Sequence, residues 1–269
     1  MSMDISLTLV GAGKMGGAML QGWLKLGLAA KRAFVVEPFP SEDLKALCAA
    51  TGVTLNGAPQ QSDVVVLATK PQMLDSAAAT LLPLVGPKSL VISVLAGKTI
   101  ANVRARLPHT KALVRAMPNT PAAVGRGITG VFATDAVSPG QRDITTQLLG
   151  AIGRVEWVES EEQIDMVTAV SGSGPAYVFY LAECLAKAGE AAGLPAELAA
   201  RLARATVEGA GELMFQEPQT APSQLRINVT SPGGTTAAAL EVLMADAGLA
   251  ALMVRAVAAA KRRAAELSG

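Results

Sequence analysis

Leu7-Thr-Leu-Val-Gly-Ala-Gly-Lys-Met-Gly-Gly-Ala-Met-Leu20 decides the fold of this chain. Its opening apolar run reads as a buried strand, and a helix-forming stretch follows to about Leu26. Between them lies Gly11-x-Gly13-x-x-Gly16. Gly11 permits the tight turn, Gly13 lets the backbone approach a pyrophosphate, and Gly16 lets the helix pack close to the strand. The helix N-terminus then faces the phosphates. A structural glycine turn is the competing reading; the strand before and the helix after favour dinucleotide binding.

Working outward, apolar runs at residues 5–10, 33–37, 64–68, 90–94 and 112–116 read as strands. Helical patterns at 16–26, 41–51, 73–84 and 100–107 separate them. Such alternation implies a doubly wound parallel sheet, an α/β Rossmann domain. A further strand, helix and strand read at 127–133, 139–152 and 155–158, and beyond residue 160 the pattern is almost wholly helical. The expected organisation is a dinucleotide-binding domain over 1–159 and an all-α dimerisation and substrate domain over 160–269. Ser171-Gly-Ser-Gly-Pro175 reads as the N-terminal cap of a long helix.

Composition narrows the function. The 269 residues are 51% hydrophobic with a formal net charge of +1, so no basic stripe is present to neutralise nucleic-acid phosphates. No uninterrupted apolar run reaches the roughly 18–20 residues needed to span a bilayer, so a cytoplasmic protein is expected. Two cysteines, Cys48 and Cys184, make neither a disulfide framework nor a metal site. Residues 176–192 and 249–260 are apolar nearly all round, which predicts burial in an obligate homo-oligomer.

Ligands of open α/β sheets sit at the carboxyl ends of strands. Those ends carry Gly11–Gly16 with Ala12, Lys14 and Met15; Glu37; Ala68-Thr69-Lys70-Pro71; Ala96-Gly97; and Met117-Pro-Asn119-Thr-Pro121. Lys70 reads as a contact to cofactor ribose or phosphate, or as a solvated lysine. Asn119 reads as a neighbour of the nicotinamide, or as part of a plain turn. Glu37 stands 21 positions after Gly16 (37 − 16), near where a carboxylate holds the ribose 2′-OH of NAD. It leans toward NADH over NADPH, while Ser41, Lys31 or Arg32 leave room for a 2′-phosphate.

A second informative stretch is Leu225-Arg-Ile-Asn-Val-Thr-Ser-Pro-Gly-Gly-Thr-Thr-Ala-Ala-Ala-Leu240. Pro232, Gly233 and Gly234 specify a sharp turn, and Thr235 or Thr236 is expected to cap the helix that follows. Free N–H groups flanked by Thr230, Ser231, Thr235 and Thr236 suit a small carboxylate. An ordinary capped turn is the alternative.

Together these pieces resemble the pyrroline-5-carboxylate reductases, from Gly11-Ala-Gly-Lys-Met-Gly16 through Lys70-Pro71, Ala96-Gly97 and Met117-Pro-Asn-Thr-Pro121. The match continues through Ser171-Gly-Ser-Gly-Pro-Ala-Tyr177 and Asn228-Val-Thr-Ser-Pro-Gly-Gly-Thr-Thr236. The resemblance implies a Rossmann domain joined to helices that interleave in a dimer, often within larger rings. It implies hydride transfer from NADPH or NADH to the cyclic imine pyrroline-5-carboxylate. It also implies that Ser231, Gly233, Gly234, Thr235 and Thr236 bind the substrate, with the Thr236 hydroxyl at the ring nitrogen, and that Asn228 reaches the cofactor. Glu37 departs from members whose small or basic residues suit NADPH.

The missing acid fits an imine. A carbonyl reductase needs His, Lys or Tyr as proton donor, yet the one histidine, His109, sits in a Pro-His-Thr loop. A protonated imine needs only a hydrogen-bonding group at nitrogen. A 3-hydroxyacid dehydrogenase would need a catalytic Lys or His on a helix facing the cofactor, and Lys187, the one lysine between residues 160 and 260, lies well past the Gly-Pro turn. A dinucleotide sensor would have no use for the carboxylate-binding turn.

Overall fold

The structure, a computed structural model, describes residues 4–268. Strand β1 (Leu7–Val10) leads into helix α1 (Lys14–Lys25), then β2 (Ala33–Val36), α2 (Glu42–Thr51) and the short strand β3 (Thr54–Leu55). The chain next forms β4 (Ser62–Leu67), α3 (Leu74–Leu81), β5 (Val85–Ser93), α4 (Ile100–Arg106) and β6 (Leu113–Met117). Three more elements complete the sheet: β7 (Gly127–Ala133), α5 (Pro139–Gly150) and β8 (Gly153–Trp157).

The eight strands lie in the order β3-β2-β1-β4-β5-β6-β7-β8. The direction of winding reverses between β1 and β4, which opens a crevice at their carboxyl ends. Alternate strand residues serve opposite faces. Leu7, Leu9, Val64, Val66, Leu90 and Ile92 pack with Met19, Leu20 and Trp23 of α1 and Leu148 and Leu149 of α5. Val10, Val65, Leu67 and Val91 pack with Leu74, Leu81, Ile100 and Val103 of α3 and α4. Burial on both faces explains why these strands read as continuous apolar runs.

One feature departs from the all-parallel expectation. β7 pairs antiparallel with β6, and β8 then pairs parallel with β7. The reason is the connection: residues 118–126 hold only a 3₁₀ turn, Thr120–Val124. A parallel return needs a crossover of a dozen or more residues. The capping-box helix α5 supplies such a crossover for β8.

The remaining helices are α6 (Gln163–Val167), α7 (Gly174–Ala191), α8 (Ala196–Gln216), α9 (Pro222–Asn228), α10 (Thr235–Leu243) and α11 (Leu249–Ser268). The chain divides into two compact units, residues 4–172 with 260–268, and Ser173–Ala259. In the second unit only Ala199 and Ala203 are buried among the described residues. Phe179, Tyr180, Leu213, Val242 and Val254 are all exposed. The expected serine cap of α7 does not form. Ser173 precedes α7 in a helical conformation with no side-chain capping bond, because a π-helical turn, Thr168–Gly172, leads straight from α6 into α7. The Ser171 hydroxyl instead donates to the Val167 carbonyl at 3.0 Å.

Candidate functional site

The glycine turn is built by close backbone contacts. Gly11 adopts φ +89°, and a side chain there would press into the backbone of Ala68 and Thr69. Its N–H donates to the Val36 carbonyl at 2.9 Å, and Ala68 N–H donates to Val10 at 2.7 Å, so β2, β1 and β4 converge on one point. A Cβ on Gly16 would collide with the Gly11 carbonyl oxygen, which sets how closely α1 approaches the turn. Gly13, the residue before α1, has open space where a side chain would stand and provides no side-chain cap. The first N–H groups of α1 therefore lack internal partners and can serve an anion.

A groove of about 890 Å³ runs along these strand ends. Gly11, Ala12, Gly13, Lys14, Glu37, Ala68, Thr69 and Lys70 line it, eight of the residues singled out from sequence. Lys14 and Lys70 are exposed. Lining residues that carry no motif signal include Gln21, Asp43, Ser76 and Thr80. Phe39, which follows Glu37 and Pro38 just past the carboxyl end of β2, also lines the groove and is 87% exposed.

The other cofactor candidates lie outside this lining. Met15 packs against the core, and Pro71 opens a short 3₁₀ turn. Ala96 is exposed, and Gly97, at φ +68°, lies against Leu267 near the end of α11. Asn119 works as a strut. Its Nδ2 donates to the Ser171 carbonyl at 3.2 Å, and its Oδ1 accepts Ile128 N–H at 3.0 Å.

Glu37 is held at the mouth of the groove. Its Oε2 accepts Ala12 N–H at 2.9 Å and its Oε1 accepts Phe39 N–H at 3.1 Å. A carboxylate has about four acceptor positions, so two remain for hydroxyl donors. Glu42 and Asp43 add negative charge in the first turn of α2, which the Ser41 side chain caps by accepting Leu44 N–H. Arg32 pairs with Asp4 at 2.8 Å. The surroundings of Glu37 thus suit a diol better than a phosphate.

The second turn lies between α9 and α10. Gly234 N–H donates to the Ser231 carbonyl at 3.0 Å, with Pro232 and Gly233 between them and Gly233 at φ +68°. This fits a type II turn, which requires a positive φ at its third residue. The threonine cap expected here is not made. α10 begins at Thr235 after Gly234, and no side chain caps it, because both threonines already lie inside the helix. Their hydroxyls are left without a capping role. Ser231 and Thr235 are exposed and Thr236 is half-buried. Asn228 ends α9, where its Oδ1 accepts Gln224 Nε2 at 2.8 Å.

His109 and Lys187 are exposed. A hydrogen bond with Cys184 raises the Tyr180 phenol above its ordinary pKa. No cluster of His, Cys, Asp and Glu suited to a metal occurs among the described residues. No helix among them is long and apolar enough to cross a membrane.

Comparison with known proteins adds the family. A model described as pyrroline-5-carboxylate reductase dimerisation matches residues 161–267, and one described as NADP oxidoreductase, coenzyme F420-dependent, matches 6–97. A pyrroline-5-carboxylate reductase of Pseudomonas aeruginosa is 39% identical, over 97% of this chain and 96% of its own. A solved pyrroline-5-carboxylate reductase from Coxiella burnetii superposes with a TM-score of 0.88 at 36% identity, covering 99% of this chain and all of the other. A Plasmodium falciparum pyrroline carboxylate reductase, solved with NADP bound, gives 0.80 at 27% identity over 99% of each chain.

Proposed function

This chain belongs to the pyrroline-5-carboxylate reductase family, and from that premise we propose how its two specialised turns divide the reduction of the cyclic imine to L-proline. Residues 1–159 hold the dinucleotide, and 160–269 form the dimerisation and substrate part. The observation that carries the reading is the groove at the β1–β4 switch point, with an uncapped helix start and an open Gly13 facing it.

The N–H groups that follow Gly13 would hold the pyrophosphate, because the helix dipole favours negative charge there. Lys14 and Lys70 add positive charge from the groove wall. Glu37 accepts the adenosine ribose hydroxyls, which makes NADH the preferred cofactor. A 2′-phosphate, carrying about −1.5 to −2 charges, would meet Glu37 and the acidic start of α2.

The N–H groups after Pro232 bind the substrate carboxylate, with Ser231, Gly233, Gly234 and Thr235 around it, and Asn228 reaches toward the cofactor. When bound, the reduced nicotinamide supplies the hydride that adds to C5 of the imine. The imine enters protonated at nitrogen, so the C=N electron pair settles on that nitrogen and no acid needs to deliver a proton. The Thr236 hydroxyl accepts the ring N–H and fixes its orientation. Positioning of this kind can supply roughly 7–11 kcal/mol of a barrier.

Self-association follows from the helical unit. α7, α9 and α10 contain no buried residue, so their apolar faces need a second copy to cover them. An obligate homodimer, or a ring built from dimers, is the assembly that results.

The test is cofactor oxidation with pyrroline-5-carboxylate against 3-oxoacids. Turnover is expected with the imine alone. Thr236→Ala should lower kcat/KM by about 100-fold, while Thr236→Ser keeps most of it. An unchanged rate in the alanine variant would remove Thr236 from the reaction.

A further inference from the structure

We propose that Asn56 is a positioning residue that presets Glu37 for an adenosine ribose lacking a 2′-phosphate. The proposal rests on the reading of Glu37 as the ribose acceptor. Asn56 follows the edge strand β3, and its N–H donates to Val35 at 2.8 Å, continuing the β2–β3 pairing. Its side chain then adds a further rung. Oδ1 accepts Glu37 N–H at 2.9 Å, and Nδ2 donates to the Glu37 carbonyl at 2.9 Å. One carboxamide thereby satisfies both backbone groups of Glu37, just past the last residue of β2.

The backbone conformation points the same way. Asn56 has φ +51°, the one positive φ on a non-glycine among the described residues. Asparagine tolerates this left-handed region better than most residues. An uncommon conformation held at this position, with its side chain turned onto one specific residue, is the pattern of a functional constraint. With the Glu37 backbone clamped, its carboxylate reaches across to Ala12 N–H in the glycine turn, 2.9 Å away. The Asn56 clamp and the phosphate-binding turn therefore hold Glu37 from opposite sides. The carboxylate arrives in place before the cofactor does, so less ordering remains to be done on binding.

The test uses the full-length assembled protein and equilibrium calorimetry with ADP-ribose and its 2′-phosphorylated form. Asn56→Gly keeps the left-handed backbone and removes both side-chain bonds. It should weaken ADP-ribose binding by roughly tenfold and leave the phosphorylated ligand little changed, since a hydrogen-bonded charge loses its preset geometry. Asn56→Asp, which can accept from Glu37 N–H but cannot donate to its carbonyl, should also narrow the preference. In a Glu37→Ser background, Asn56→Gly should have no further effect on the ratio. The steady-state loss should fall on the KM for NADH and spare the KM for the imine. If Glu37→Ser alone alters the ratio and neither Asn56 variant does, Asn56 is a structural residue and the proposal is overturned. If Glu37→Ser leaves the ratio unchanged, the underlying reading of Glu37 fails, and the proposal goes with it.

Discussion

Replacing Arg115 by Met should destabilise the Rossmann unit through charge rather than volume. Arg115 sits on β6 with its side chain 5% exposed. Its guanidinium reaches Asp165 Oδ1 at 2.8 Å and Glu161 Oε1 at 3.3 Å, and donates to Ser268 Oγ at 3.2 Å. Methionine fills much of the same space but leaves two carboxylates facing one another. Stripping one partner from a buried ion pair costs about 3–5 kcal/mol. Here each carboxylate keeps a donor: Glu161 accepts Ile100 N–H at 2.7 Å, and Asp165 accepts the Ser268 hydroxyl at 3.0 Å. Their side chains are also 28% and 16% exposed. The lower end of the range, about 3 kcal/mol, is therefore expected.

Urea unfolding followed by tryptophan emission measures this directly, because Trp23 and Trp157 both lie in the Rossmann unit. With a slope near 2 kcal/mol per molar urea, the midpoint should fall by about 1.5 M at fixed protein concentration. The triple change Arg115→Met, Glu161→Gln and Asp165→Asn should recover most of the loss, since neutral amides do not repel. A midpoint shift below roughly 0.5 M would refute the reasoning. So would a triple variant no more stable than the single one, because packing would then be the cause.

Other expectations concern the cofactor and pH. The ratio of kcat/KM for NADH over NADPH should exceed about ten, with one carboxylate–phosphate repulsion supplying more than a pK unit of discrimination; a ratio below one would contradict the Glu37 assignment. Backbone and side-chain hydrogen bonds from Ser6 hold the Asp63 carboxyl below its ordinary pKa. A group whose folded pKa is depressed stabilises the protein above its unfolded pKa and loses that contribution as pH falls through the folded value. Asp63→Asn should thus lower the Tm at neutral pH, with the gap closing below the usual carboxylate range. A gap independent of pH would show that the charge is irrelevant.

Much of this protein is legible in local chemistry. Four-residue apolar runs, a glycine spacing and a Pro-Gly-Gly turn act through short-range sterics, so β1, the turn at Gly11 and the turn at Gly233 read directly from residue type. Where local rules competed, the fold decided. Thr235 and Thr236 carry good capping side chains, yet α10 starts before either can cap it. Ser173 stands in the capping place of α7, yet a π turn ending at Gly172 leads straight into it and its side chain makes no cap. β7 turned antiparallel because its connection is too short to cross the sheet.

The roles that tertiary structure alone assigned all join residues far apart in the chain. Glu37 meets Ala12 across 25 positions, Asn56 meets Glu37 across 19, and Arg115 meets Ser268 across 153. Residue type states which bonds such groups can make. Which partner stands within reach depends on strand order and helix placement, and those follow from burying both faces of one sheet at once.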